Sequence, residues 1–162
     1  MVACDCERVA LEVIGAPIVT VSCYCDDCQE AARQIQSLPN AASIQDADGG
    51  TPYVVYRKDR LRCQKGASLL RHHKIRENSP TNRVIATCCN SALYVNFDDG
   101  KHWVDVYHAR CRGVFPAVQI RVCTKFVPEG CNVPTDVPSY SRYPMTLLVK
   151  LVVAKAAMWL RP

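Results

Sequence analysis

The sequence has no apolar run of the ~20 residues needed to cross a bilayer, no internal repeat, no low-complexity tract and no dense stripe of lysine and arginine. The start, Met1-Val2-Ala3-Cys4-Asp5, has no basic leader followed by an apolar stretch, so no secretory signal is expected. A reducing, cytoplasmic setting is the expectation that follows. The formal net charge of +5 counts every thiol as neutral. Seven thiolates closing on two divalent ions would lower it to about +2, and with no basic stripe to compensate, no nucleic-acid partner is expected. The short basic runs Arg57-Lys58-Asp59-Arg60-Leu61-Arg62 and Arg71-His72-His73-Lys74 read as solvated turns and strand faces.

What the chain does have is cysteine: 11 in 162 residues, five of them among the first 28. At 49% hydrophobic it is long enough for one domain with a real core and a tail. In a reducing compartment metal ligation outranks disulfides for such clusters. Cys23-Tyr24-Cys25-Asp26-Asp27-Cys28 places three thiols in a C-x-C-x-x-C spacing, which leaves a tetrahedral zinc one ligand short. A vacancy of that kind distinguishes a site that binds and polarises a substrate from one that only staples a fold. Cys4 and Cys6 form a second C-x-C group, and Cys88-Cys89 a pair. Small buried thiols and iron–sulfur ligation are the alternative readings. Cys63, Cys111, Cys123 and Cys131 match no ligand spacing and read as core or bystander thiols. His72 and His73 read as surface or satisfied residues, and His102 and His108 are distant candidates for a general base.

Val9, Leu11 and Val13 alternate with Ala10, Glu12 and Ile14, Gly15-Ala16-Pro17 turns, and Ile18 to Val21 is rich in β-branched residues. This predicts a hairpin over 8–22, with Cys4-Cys6 and Cys23-Cys25-Cys28 at neighbouring strand ends. Asp26 is expected to cap a short helix through about Gln36, and Ser37 to Thr51 to form a loop. Further strands are expected at Tyr53–Arg57, Leu61–Gln64, Leu69–Ile75, Arg83–Cys88, Ala92–Phe97, Trp103–Tyr107 and Ala117–Val122. Together these predict a mainly antiparallel β domain. After a proline-containing loop over 128–138, Pro144 opens a helix from Met145 to Leu160, about 24 Å long at ~1.5 Å per residue. That helix is expected to pack on the domain or a partner subunit, possible homo-oligomer included; Lys150, Lys155 and Trp159 make membrane-surface contact the minor alternative.

Cys4-Asp5-Cys6, the expected hairpin, Cys23-Tyr24-Cys25-Asp26-Asp27-Cys28-Gln29 and Cys89-Asn90-Ser91-Ala92-Leu93 together resemble the glutathione-dependent formaldehyde-activating enzyme family, which also contains centromere protein V. The resemblance runs from about residue 2 to residue 125. It implies a tent-like, zinc-bearing β domain over 1–127 with two zinc ions, followed by a linker and helix over 128–162. Cys4, Cys6 and Cys89 would hold a structural zinc, and Cys23, Cys25 and Cys28 a catalytic one. The family has a further cysteine three positions before Cys89, where this chain has Ala86. Cys88 can substitute only if the backbone turns sharply, because adjacent side chains on a strand point to opposite faces. Otherwise Cys88 approaches the other metal, or the structural site is weakened or lost. The family's glycine before the first C-x-C is replaced by Val2-Ala3.

The implied activity is that of a zinc-dependent carbon–sulfur lyase, S-(hydroxymethyl)glutathione synthase-like, acting on glutathione or another thiol and on formaldehyde or a related aldehyde adduct. The alternative is a non-catalytic, zinc-stabilised binding module in which Cys88 or a fixed water fills the vacancy. For a tripeptide's carboxylates, Arg57, Lys58 and Arg60 with the N–H groups of Gly49 and Gly50 are candidates. Asp26 and Asp27 are expected to cap the helix or to serve the metal through a hydrogen bond or a proton.

Overall fold

The computed structural model describes residues 1–160. The expected runs become nine strands and a short unexpected one precedes them: β1 (Val2–Ala3), β2 (Ala10–Val13), β3 (Val19–Cys23), β4 (Thr51–Arg57), β5 (Leu61–Lys65), β6 (Leu70–His73), β7 (Thr81–Ala86), β8 (Ser91–Phe97), β9 (Trp103–Tyr107) and β10 (Ile120–Val122). Two α-helices accompany them, α1 (Asp26–Gln36) and α2 (Met145–Leu160). A three-stranded sheet has the order β1-β2-β5, and a seven-stranded sheet the order β10-β3-β4-β9-β8-β7-β6. Every strand pair is antiparallel except β10 with β3. The mainly β expectation, with a helix after C-x-C-x-x-C and another at the C-terminal end, therefore holds.

The period-2 alternation of the central strands gives the large sheet two apolar faces. Val54, Tyr56, Val104, Val106 and Leu93 pack with Val2, Val9 and Leu11 of the small sheet. Val21, Tyr53, Val55, Val95 and Tyr107 pack on the opposite face with Ala32 and Ile35 of α1. The two cysteine groups divide the same way, Cys4 with the first cluster and Cys23 and Cys28 with the second.

The expected hairpin over 8–22 is corrected by this topology. β2 pairs with β1 and β5, whereas β3 pairs with β4 and β10, so the Gly15-Ala16-Pro17 turn crosses from one sheet to the other. The Ile14 N–H donates to the Arg60 carbonyl and the Ile18 N–H to the Val55 carbonyl, which commits the two sides of the turn to different sheets. Each segment packs its apolar residues in a different layer, Val9 and Leu11 with the small sheet and Val19 and Val21 on the α1 face.

α1 buries Cys28, Ala31, Ala32 and Ile35 at helical spacing. Cys25, rather than Asp26, takes its N-cap position with no side-chain cap; Asp26 and Asp27 fall in the first turn, where the helix dipole favours a carboxylate. α2 begins where the Leu147 N–H donates to the Pro144 carbonyl. Leu147 and Leu151 pack onto the α1 face of the sheet, and His102 Nε2 lies 2.7 Å from the Leu151 carbonyl oxygen. Val149, Val152, Val153 and Trp159 remain exposed. No helix among the described residues is long and apolar enough to cross a membrane. The last two positions of the expected 128–162 segment, 161 and 162, lie outside the described residues.

Ile35 is fully buried between α1 and the sheet. Ile35→Ala should lower the unfolding free energy by about 2–5 kcal/mol in urea titrations. Arg33→Ala, on the exposed face with only a surface ion pair to Glu30, should change it by less than ~1 kcal/mol.

Candidate metal centres and cavity

The first thiol cluster is built by two tight turns. After β1, the Glu7 N–H donates to the Cys4 carbonyl at 3.0 Å and Glu7 takes a left-handed φ of 58°, folding Cys6 back beside Cys4. After β7, the Cys89 N–H donates to the Ala86 carbonyl and Asn90 takes a φ of 54°. This second turn releases Cys88 and Cys89 from strand alternation and lets adjacent thiols point at one centre. Cys88 Sγ lies 3.3 Å from Cys6 Sγ and 3.8 Å from Cys4 Sγ, Cys4 and Cys6 are 3.6 Å apart, and Cys88 and Cys89 3.9 Å apart. Four sulfurs at ~2.3 Å from a tetrahedral zinc would stand about 3.8 Å from one another. The group Cys4, Cys6, Cys88 and Cys89 therefore fits one metal ion. Cys88 joins this cluster and not the other.

The surrounding network holds the two turns together. Arg110, 3% exposed, donates through Nη1 to Asp5 Oδ1 at 2.6 Å and through Nε to the Ala92 carbonyl. Ser91 Oγ donates to Asp5 Oδ2 at 2.9 Å and lies 3.1 Å from Cys89 Sγ. Burial opposes ionisation of Cys89, yet the Ser91 hydroxyl and the N–H groups of Cys6 and Ser91 bring it down to about 6.

The second cluster sits at the junction of β3 and α1. Cys23 ends the strand, Cys25 is the helix N-cap and Cys28 falls one turn later, with the Cys28 and Gln29 N–H groups donating to the Cys25 carbonyl at 2.9 and 3.1 Å. The three sulfurs lie within 4.8 Å of one another and fit a single metal ion with three protein donors. The neighbouring Cys23 and Cys28 thiols, and then, against burial, the N–H groups of Cys28 and Asp27 at the helix start, pull Cys25 down to about 3. Tyr53 Oη lies 3.6 Å from Cys28 Sγ. Parallel pairing sets Val122 of β10 opposite Cys23, and Cys123 follows with a left-handed φ of 60° in the same buried cluster. The Cys123 thiol is the largest influence pushing Cys23 well up, followed by those of Cys25 and Cys28. Cys123 reads from sequence as a core thiol; its only other signal is that, like Cys23, it closes a β-branched run.

A cavity of about 360 Å³ opens over Cys23, Cys25 and Cys28. Its sheet side is apolar, with Val21, Val55, Val95 and Phe97, and Leu147, Leu148 and Leu151 of α2 form the opposite wall. Two ionisable groups interrupt it, Arg83 buried and Asp105 half-buried. Arg83, 2% exposed, donates through Nη2 to the Asp27 carbonyl at 3.1 Å, while Nε and Nη1 have no protein partner. Asp105 lies on β9 between Val55 and Val95 of the neighbouring strands. Burial pushes it up to about 7, Lys101 opposing the shift and Cys25 adding to it.

Several expected site residues are elsewhere. Arg57 pairs with Asp59, and neither it nor Lys58 or Arg60 lines the cavity. Gly49 and Gly50 serve packing instead: a Cβ at Gly50 would stand 2.3 Å from Ser22 Oγ, and the Gly49 carbonyl accepts from the Gln29 and Gln45 side chains. His102 faces α2 and His108 Nε2 lies 3.3 Å from the Pro116 carbonyl oxygen, so neither histidine reaches the cavity. Asp27 does line it and pairs with Arg76 at the mouth. Cys63 is exposed on β5, and Cys111 and Cys131 are half-buried away from both clusters.

The chain is a two-sheet β protein with a four-thiol group on one side of its large sheet and a three-thiol group beneath a cavity on the other, each of which could hold a metal ion. Residues 1–116 match the family described as glutathione-dependent formaldehyde-activating enzyme, and the chain belongs to that family. A crystal structure of a Rhodobacter sphaeroides protein is similar at 18% sequence identity and a TM-score of 0.49, covering 71% of this chain and 90% of that one. No curated protein matches the sequence.

The raised Asp105 acid gives a signed pH dependence. The folded protein keeps that proton to about pH 7, whereas an unfolded aspartate loses it near pH ~4. Across that window the folded state binds more protons, so stability falls as pH rises and the loss is complete above the folded value. Asp105→Asn should therefore gain on the wild type in urea midpoint between pH 4 and pH 8. A difference constant over that range would contradict the half-buried, proton-holding carboxyl.

Proposed function

We propose that Cys4, Cys6, Cys88 and Cys89 hold a structural zinc, and that Cys23, Cys25 and Cys28 hold a second, substrate-binding zinc. On this reading the chain makes and breaks the carbon–sulfur bond between a thiol and an aldehyde, as a carbon–sulfur lyase. Glutathione and formaldehyde are the pair that family membership supplies. The observation that carries the proposal is the asymmetry between the clusters: the four-donor group has a full tetrahedral set, whereas the three-donor group lies at a cavity.

Zinc would supply one open coordination position that stabilises a substrate thiol as its thiolate at neutral pH. The chain's own residues do the rest. The apolar walls exclude water, so that charge developing on a carbonyl oxygen is met by protein groups. As the new carbon–sulfur bond forms, the carbonyl π pair moves to oxygen. Asp105, poised near neutrality on the cavity floor, gives its proton to that oxygen and is reprotonated by the proton the substrate thiol releases on binding; in the reverse direction it takes the hydroxyl proton as the carbon–sulfur bond breaks and the sulfur leaves with that bond's electron pair. The unpaired guanidinium edge of Arg83 supplies positive charge below the same space.

A second reading, a non-catalytic zinc-stabilised binding module, is favoured by Cys123, which shares the buried cluster with Cys23 and, although outside the three-thiol group, would become a fourth donor if its turn moved toward the metal. Two variants separate the readings. Purified protein should carry about two zinc per chain, and Cys25→Ser about one, with thiol-dependent aldehyde turnover reduced by at least ~100-fold. Cys123→Ala should keep both zinc ions and its turnover; loss of one zinc from that variant would favour the module. Wild-type-level turnover by Cys25→Ser would remove the three-thiol group from the chemistry.

A further inference from the structure

The cavity also bears on which thiol it takes. Glutathione carries two carboxylates and one ammonium, and a site built for it should offer free counter-charges along its walls. Around this cavity the cationic groups are committed elsewhere or sealed, and Asp105 alone stands free on the floor. Lys101 pairs with Asp99 and lies 4.7 Å above the Phe97 ring, and Asp27 pairs with Arg76. Arg83 is held through Nη2 by the Asp27 carbonyl, and its Nε and Nη1, without a protein partner, are sealed from solvent. Apart from Asp105 and the thiols, most of what the cavity presents is apolar: valine, phenylalanine, tryptophan and leucine.

The apolar wall opposite the sheet comes from α2, beyond the residues 1–116 that match the family. Pro144 starts the helix, Leu147 is 5% exposed against the sheet core, and His102 holds the Leu151 carbonyl at 2.7 Å. Leu148, next to them, lines the cavity while remaining 42% exposed. The enclosure over the three-thiol group is thus a property of this chain's own C-terminal segment.

We propose that the thiol received over Cys23, Cys25 and Cys28 is one with an apolar body, an aryl or alkyl thiol, in preference to a charged tripeptide thiol. This rests on the open-site reading above and specifies its substrate class. Each methylene of the thiol buried between α2 and the sheet should tighten binding about fourfold, the equivalent of ~0.8 kcal/mol. Unpaired carboxylates brought into the same space weaken it.

The test uses the full chain loaded with cobalt(II), titrated at constant pH with benzyl mercaptan, with glutathione and with ethanethiol, butanethiol and hexanethiol, reading the thiolate-to-cobalt absorption. Benzyl mercaptan should half-saturate at a concentration at least ~10-fold below glutathione, and the alkyl series should tighten with length. Leu148→Lys, at a half-exposed position, should weaken benzyl mercaptan severalfold and leave ethanethiol unchanged. Glutathione binding as tightly as benzyl mercaptan, a flat alkyl series, or a Leu148→Lys variant with unaltered selectivity would overturn the assignment while leaving the open site intact. If no thiol alters the spectrum, the open-site reading itself fails, and the substrate class with it.

Discussion

Thiolates crowded within hydrogen-bonding distance cannot all ionise unless a cation stands between them, and the rest of this structure is arranged around that constraint. At the first cluster, four sulfurs converge from two turns that are far apart in sequence and joined through Asp5, Ser91 and Arg110. At the second, three sulfurs converge around the first turn of one helix. Without a cation the sulfurs share protons: Cys25 and Cys89 are held low while their neighbours Cys23 and Cys88 are pushed up. With a divalent ion all of them can ionise together, which is why thiol-metal binding and folding are coupled in small domains of this kind.

The seven-stranded sheet turns two similar donor sets into different environments. One face packs against the small sheet, and there the cysteines sit among Val2, Val9 and Leu11. The other face is covered by α1 and α2 with a space left between them and the strands, and there the cysteines meet the cavity. Burial in that space raises Asp105 to about 7, and the same apolar surroundings isolate the Arg83 guanidinium. A shared fold thus gives a closed site on one side and an addressable one on the other, from donors of one chemical type.

Much of this was legible in the residues because local chemistry decided it. The limits of α1 and α2 follow from helical spacing and Pro144, and Trp103–Tyr107 is read directly from its alternation. The seven clustered cysteines were visible as spacing. What sequence could not supply was anything set by long-range pairing. The segment over 8–22 has the residues of a hairpin, yet each half pairs with a different sheet. Cys88 needed the turn at Asn90 to be assigned to a cluster, since a regular strand would have sent it away from Cys89. Cys123 reaches Cys23 only through the parallel β10–β3 register. Arg83 and Asp105 look like ordinary outward residues on alternating strands, and only a sheet covered on both faces makes Arg83 interior and Asp105 half-buried.

The central claim is that the two clusters differ in one coordination position, four sulfurs at one metal and three at the other. Zinc-edge X-ray absorption of the fully loaded protein measures that directly, as the mean number of sulfur neighbours per zinc. The account predicts about 3.5 before a substrate thiol is added and about 4 after it, since only the three-thiol site gains a ligand. A value of about 4 in the absence of any added thiol, unchanged on addition, would mean that both sites are closed and would contradict it.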